Sequence, residues 1–471
     1  MTRPSATARV ATPGAVRASP GASLGASLGA SLGASLEASR RASGALLLGL
    51  LLAACASGTA PADARGAAAP APANAGGLAP FFSALAAREA GTRREPVTVL
   101  QIGDSHTAND AFSGRMRENF QGRFGNAGRG MLPPGIAFRT YNPAQVHVTA
   151  SPDWTLVSSA EGGMPGPFGL AGLRQQTGAA GAEMTLATEV PGGLDRAEVE
   201  VLRQPGGGTL DVLADGRPAG TVTTAGPRVA AEFVKLSLPA GTRQLALRTR
   251  GDGPVSLLSW SAGRNAPGVV WSNLGTIGAT IELPGAWDPA TVAAEIARAD
   301  PAMLVIAFGT NEGVRESTDT AAYPQLFEQR VRALAAMAPR AAVLVMGPPD
   351  ALRPVREGHA GETCEGGRWR PATNLAAVRE AQRRVAAANG WAFWDWSEAM
   401  GGTGGGSGGG PGGASGEGRC AIDRWARQEP PLALPDRIHL RAAGYRLTAD
   451  KLFATLMRGY AGYRTTLAQR R

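Results

Sequence analysis

The chain has 471 residues, 44% of them hydrophobic and 18% charged, with a formal net charge of +9. This length suits two or three domains, and the composition excludes a wholly disordered chain. Of the 47 basic residues only Lys235 and Lys451 are lysine, and no basic cluster is interleaved with aromatics, which argues against a nucleic-acid partner.

In chain order, Arg40 and Arg41 precede the apolar run Ala45 to Ala54. That run is too short to span a bilayer core of ~30 Å as a helix, which leaves no multi-span membrane protein. A positive segment, a short apolar run and small residues before a cut site read as an export signal. Leu52-Ala53-Ala54-Cys55 resembles the lipobox of bacterial lipoproteins, whose cysteine is lipidated and becomes the mature N-terminus. The competing reading is a plain secretory signal with an incidental Cys55. Residues 1–54, with four consecutive Gly-Ala-Ser-Leu repeats from Gly21 to Leu36, are leader and offer no packed core. Residues 55–80, rich in Ala, Pro and Gly, read as a flexible tether. The expectation is an exported protein held at the membrane by lipid on Cys55, facing the periplasm or exterior.

Residues 81–140 begin a folded domain. Val97 to Ile102 is a β-branched apolar run ending at Gly103, which predicts a strand, and Ala108 to Phe120 predicts a helix. Over 141–263 the pattern changes to short alternating runs, such as Ala197/Val199/Val201, Leu210/Val212 and Leu245/Leu247, separated by turn clusters. Period-2 runs at this spacing predict a β-sandwich. Over 264–471 strands and helices alternate: strands at Val269 to Ser272, Met303 to Phe308, Ala342 to Met346 and Trp391 to Trp394, helices at Thr291 to Ala299, Ala321 to Ala338, Asn374 to Ala388 and Ala442 to Met457. The fold class is therefore α/β, a flavodoxin-like doubly wound parallel sheet interrupted by an inserted all-β sandwich. Function in such sheets gathers at the carboxyl ends of the strands.

The first strand ends in Gly103-Asp104-Ser105-His106, a sharp strand-to-helix turn that can present a serine hydroxyl above the sheet. Taken alone, the same residues also serve as an ordinary helix cap. A nucleophilic serine needs a base, and the histidines are His106, His147, His359 and His439. His439 follows Asp436 by three residues, so the carboxylate can hold Nδ1–H and leave Nε2 free for the serine proton. Asn311, in Gly309-Thr310-Asn311-Glu312, offers a side-chain N–H₂ to an oxyanion, and the glycines of Gly275-Thr276-Ile277-Gly278 offer backbone N–H groups.

These four blocks, in this order, resemble the SGNH (GDSL-type) hydrolases. The resemblance implies Ser105 as nucleophile, Asp436 and His439 as its relay, and an oxyanion hole from Ser105, Gly278 and Asn311. Gly278 is matched in preference to Gly275 because the family's Gly-x-Thr turn fits Gly278-Ala279-Thr280. Two positions depart from the family pattern: Glu312 stands for the usual Asp and His106 for the usual Leu. With Phe124 to Gly130, those departures resemble the bacterial peptidoglycan O-acetylesterase branch, whose members carry an inserted carbohydrate-binding-like sandwich. The implied partner is an acetylated glycan, with no metal and no cofactor. Alternatives are an esterase for another polysaccharide, an O-acetyltransferase, or a non-catalytic glycan-binding lipoprotein. Cys364 and Cys420 form an even pair in an oxidising compartment, which predicts a disulfide spanning Gly401 to Gly418; two free buried thiols are the alternative. Trp154 in the insert is a candidate glycan-stacking platform or, alternatively, sandwich core.

Overall fold

The computed structural model describes residues 71–402 and 419–469. The leader 1–54, Cys55 and most of the glycine-rich run Gly401 to Gly418 therefore lie outside the described residues.

The described chain opens with a 3₁₀ turn, Ala75–Leu78, and α1 (Ala79–Glu89). The expected tether over 55–80 is too long at its C-terminal end. Ala73 pairs with Phe393, and Leu78, Phe81 and Phe82 are buried in the main apolar cluster. Leu78, inside the expected tether, buries its side chain together with Phe81 and Phe82 just beyond it, so the folded domain starts before residue 81.

β1 (Val97–Gly103) is buried along almost its whole length, as a strand covered on both faces must be. It turns directly into α2 (Ser105–Ala108), and α3 (Ala111–Phe124) follows. The sequence predicts one helix here; Asp110 breaks it with φ 53°. Its buried carboxylate accepts hydrogen bonds from Arg117 Nη2 (2.9 Å), Arg129 Nη2 (3.0 Å) and the Ala144 N–H (2.8 Å). Burial opposes that charge, yet the two guanidinium groups hold the Asp110 carboxyl well below the usual carboxylate range.

β2 (Gly128–Leu132) pairs with a sandwich strand, so the sandwich sheet begins before residue 141. Its Gly128-Arg129-Gly130 opening lacks the alternation that marks a strand. The other sandwich strands are β3 (Val146–Ala150), β4 (Thr155–Ser158), β5 (Leu173–Thr177), β6 (Glu183–Thr188), β7 (Arg196–Arg203), β8 (Thr209–Ala214), β9 (Arg217–Thr223), β10 (Ala230–Leu236), β11 (Gln244–Thr249) and β12 (Val255–Gly263). One sheet runs β10-β7-β12-β5-β4 with β2 beside β12, the other β3-β6-β11-β8-β9. Their inner faces close on a core that includes Val199, Val201, Leu247, Trp154 and Trp260. Trp154 is only 8% exposed, so its ring is sandwich core and not a stacking platform.

The α/β pattern resumes with β13 (Val269–Gly275), α4 (Pro289–Ala299), β14 (Met303–Ala307), α5 (Thr310–Val314), α6 (Tyr323–Met337) and β15 (Ala342–Gly347). A small hairpin, β16 (Leu352–Pro354) and β17 (Trp369–Pro371), precedes α7 (Leu375–Ala388), β18 (Ala392–Asp395), α8 (Trp396–Ala399), α9 (Ala421–Arg427) and α10 (Ala442–Gln469). α4 starts where the Asp288 carboxylate accepts from the Thr291 N–H and Pro289 takes the first turn. α10 runs twelve residues beyond the predicted Met457, because Tyr460 and Tyr463 continue its apolar contact with Phe82 on α1.

The central sheet is wholly parallel, in the order β13-β1-β14-β15-β18. Numbered within the α/β unit, that order is 2-1-3-4-5, the flavodoxin-like arrangement, whose switch point lies between β1 and β14. Ser105 follows β1 and Asn311 follows β14, so the fold brings both to that crevice.

Candidate active site

At the switch point the Asp104 side chain caps α2 by accepting the His106 N–H at 2.9 Å. That cap sets Ser105 at the first helical position, half-exposed, with its N–H making no hydrogen bond to the described residues. Ser105 Oγ lies 2.9 Å from His439 Nε2, although 334 residues separate the two. On the other side of the ring, His439 Nδ1 lies 2.7 Å from Asp436 Oδ2. Asp436 Oδ1 accepts the backbone N–H groups of Ile438 and His439, both at 3.0 Å, so the carboxylate is locked beneath the ring it orients. Partial burial raises the Asp436 pKa, but the bonds from the His439 ring and the two N–H groups outweigh it and hold the carboxyl down at about 2.

The other histidines are not at this position. His106 is buried, with Nδ1 2.9 Å from the Tyr445 hydroxyl, and burial pulls its imidazole down to about 3. His147 and His359 are exposed, one on β3 and one in the loop between β16 and β17.

Asn311 Nδ2 donates one hydrogen to the Ala279 carbonyl at 2.8 Å, leaving its second hydrogen free. Glu312 Oε1 accepts the Ile281 N–H at 2.7 Å. Burial keeps the Glu312 carboxyl up at about 7, and the Ile281 N–H works against that rise. Together these two side chains pin the loop that follows β13. Gly278 sits in that loop with φ 74°, exposed, and its N–H makes no hydrogen bond to the described residues. Gly275 contributes to packing instead, lying so close against α2 that a Cβ there would be 2.1 Å from the Ala108 nitrogen.

Sequence reasoning missed the clamp around Arg437, which lies between Asp436 and His439. This residue has φ 53°. Its carbonyl accepts the Leu352 N–H of β16 (2.9 Å), its Nε donates to buried Asp423 on α9 (3.0 Å), and its guanidinium lies 5.2 Å from the Trp369 ring of β17. Cys420, at the start of α9, is disulfide-bonded to Cys364 in the β16–β17 loop (S–S 2.09 Å). The disulfide thus joins the two elements that grip Arg437. The one advance signal was an arginine beside the Asp436–His439 pair, which alone says nothing about its partners.

A polarised hydroxyl, an imidazole acceptor and a carboxylate behind it, beside free N–H donors, can run acyl transfer. Residues 237–447 match the family model of the GDSL-like Lipase/Acylhydrolase family. The chain carries a GDSL-like ester hydrolase domain. It is a carboxylic ester hydrolase. The match to the GDSL-like domain leaves out Ser105, because the inserted sandwich separates the first block from the rest; folding restores the contact. A solved peptidoglycan O-acetylesterase is similar to the chain, with TM-score 0.64 and 25% identity over 81% of this chain and 96% of its own. A family two carbohydrate esterase from Clostridium thermocellum, in complex with cellohexaose, aligns over 71% of this chain and 100% of its own at 14% identity and TM-score 0.27. No curated protein matches the sequence significantly.

Proposed function

We propose that the protein is an exported serine esterase that removes O-acetyl groups from peptidoglycan through an acetyl-Ser105 intermediate. The observation that carries this reading is the continuous relay Ser105–His439–Asp436, at 2.9 and 2.7 Å. His439 Nε2 takes the Ser105 proton while Oγ attacks the acetyl carbonyl carbon. The Ser105 and Gly278 N–H groups and the free hydrogen of Asn311 Nδ2 receive the oxyanion, and losing one such donor costs about 10²–10³ in kcat. The bond to the sugar oxygen then breaks and His439 returns its proton to that oxygen. Water attacks acetyl-Ser105 with His439 again as base, releasing acetate and restoring the serine.

The peptidoglycan assignment draws on the similarity to a peptidoglycan O-acetylesterase at 25% identity. Export is supported by the Cys364–Cys420 disulfide, a bond favoured in oxidising compartments. Lipid on Cys55 would hold the enzyme at the envelope. The test is acetate release from O-acetylated peptidoglycan and from acetylated xylan at matched ester concentration. The reading expects clear preference for peptidoglycan. Preference for xylan overturns the substrate, and acetyl appearing on added sugar acceptors in place of free acetate overturns hydrolysis in favour of transfer.

A further inference from the structure

One cavity among the described residues lies well away from the relay. It has a volume of about 560 Å³ and lies where the outer face of β7, β10 and β12 turns toward β1, β13 and the end of α4. That volume falls within the range of ordinary ligand pockets, ~300–1,000 Å³. Thr98 and Val270 line it near the amino ends of their strands, whereas Ser105 follows the carboxyl end of β1. Five residues of strand at ~3.3 Å each put it roughly 16 Å from the site described above.

The wall follows from strand alternation. Val199 and Val201 point into the sandwich core, so Glu198 and Glu200 point out, and register sets Lys235 beside Glu198 and Phe233 beside Glu200. On the other flank β12 sets Ser261 beside Glu198 and Gly263 beside Arg196. Gly263 makes room for the arginine: a Cβ there would lie 2.5 Å from Arg196 Nε.

The charges on this wall do not cancel. Arg298 Nε donates to Glu198 at 2.9 Å and neutralises it. Glu200 is buried and takes the Ser259 hydroxyl at 2.7 Å, and burial pushes its carboxyl toward the neutral form. Arg196 is exposed and makes no hydrogen bond or salt bridge with the described residues, with the Asp195 carboxylate and the Arg298 guanidinium near enough to act on it in opposite senses, and exposed Lys235 makes none either. The hydroxyls of Thr98 and Ser261 also have no hydrogen-bond partner among the described residues. An exposed guanidinium with no salt-bridge partner, beside a lysine, free hydroxyls and an aromatic side chain, is matched to a carboxylate on a sugar, since its planar fork fits a carboxylate two-pronged.

We propose that this cavity is a second binding site, for a carboxylate-bearing saccharide segment, with Arg196 and Lys235 holding the carboxylate. The proposal rests on the peptidoglycan reading above and adds to it a point of attachment remote from the ester being cleaved. Remote contacts of this kind position a polymer without entering the chemistry.

The test uses the full chain and two probes: a peptide-free tetrasaccharide of alternating N-acetylglucosamine and N-acetylmuramic acid, whose lactyl carboxylates are free, and chitotetraose, which lacks them. Calorimetry should give two tetrasaccharide sites in the wild type. Arg196→Ala should weaken one of them about ten- to a hundred-fold, the range for a lost hydrogen bond to a charged group. Lys235→Ala, at an exposed position that does not threaten folding, should weaken it in the same direction. Neither variant should change hydrolysis of an aryl acetate, or its competitive inhibition by the tetrasaccharide, which reports on the Ser105 site alone. A single site unaffected by both substitutions, or chitotetraose binding as tightly as the tetrasaccharide, overturns the second site and leaves the esterase reading standing. Failure to hydrolyse the aryl acetate at all would instead sink the esterase reading.

Discussion

At the carboxyl edge of the parallel sheet, polar side chains stand half-exposed and are held by one another; in the sandwich, apolar side chains close on one another and leave the polar ones to the outer faces. Ser105, His439 and Asp436 are each positioned by a hydrogen bond to a neighbour. Trp154 and Trp260 are positioned by packing alone, and the Nε1 atom of each is buried with no partner. The two lobes therefore fail differently. Damage at the sheet edge should remove activity from a folded protein, while damage inside the sandwich should remove folded protein and leave the activity per molecule intact.

The sharpest test of that contrast lies in the relay. His439→Ala should lower kcat on an aryl acetate by about 10⁶, and Asp436→Asn by about 10⁴, since the second keeps an imidazole in place with the wrong tautomer. Both should melt near the wild-type temperature. Steady-state kinetics with melting curves checks this, and near-wild-type kcat in His439→Ala would move the base elsewhere.

Trp154→Ala is the counterpart in the other lobe. Emptying a buried tryptophan site costs about 3–5 kcal/mol, so the melting temperature should drop sharply. KM for acetylated glycan should stay the same per folded molecule, which kinetics on the surviving protein will show. A stable variant with raised KM would return Trp154 to a binding surface.

Arg437→Ala touches no substrate, yet it removes the grip that Asp423 and Trp369 have on the loop carrying Asp436 and His439, leaving only the Leu352 bond to its backbone carbonyl. We expect kcat to fall about ten- to a hundred-fold with KM for the aryl acetate unchanged, because small misplacements of catalytic groups cost this much. An unchanged kcat in a folded variant would show that the relay holds its own geometry.

How much of this was legible in the chain depends on distance along it. The alternating runs of the insert and the apolar strands of the sheet are local patterns, and the elements appear where those patterns lie. The relay residues were legible because each sits at the end of such an element in a recognisable block. Asp110, Arg437 and β2 were not. Asp110 draws its partners from Arg117, Arg129 and the Ala144 backbone, Arg437 from a disulfide-tied hairpin and helix, and β2 from β12 more than a hundred residues later. No local spacing encodes such contacts. Gly278 and Asn311 fall between these cases: their blocks were legible, but the bonds that pin their loop, from Asn311 to Ala279 and from Ile281 to Glu312, are tertiary.

The smallest expected effect is a pH dependence that again divides by environment. Burial lifts Asp104 to about 6 and Glu312 to about 7, above their unfolded values, so the folded state holds those protons more tightly. The stability they contribute is complete below about pH 4 and is lost as pH rises through 6 and 7. Asp436 runs the other way: its lowered value makes its contribution present above pH 3.8 and lost as pH falls through 2. Buried His106, held down at about 3, opposes this trend below its ordinary 6.5, but the two carboxyls together outweigh it, so melting temperature should decline between pH 4.5 and 8, and Glu312→Gln should flatten the upper part of that decline. A melting temperature that rises across the window would contradict the burial argument.

The central claim is covalent transfer of acetyl to Ser105, and the most direct measurement is rapid-quench mass spectrometry of the enzyme during turnover of an aryl acetate. A single acetyl group should appear within the first turnover on the peptide containing Ser105, should be absent from Ser105→Ala, and should disappear as acetate is released. An acetyl group on another residue, or full turnover with no acetylated enzyme at any quench time and unchanged activity in Ser105→Ala, would contradict the account.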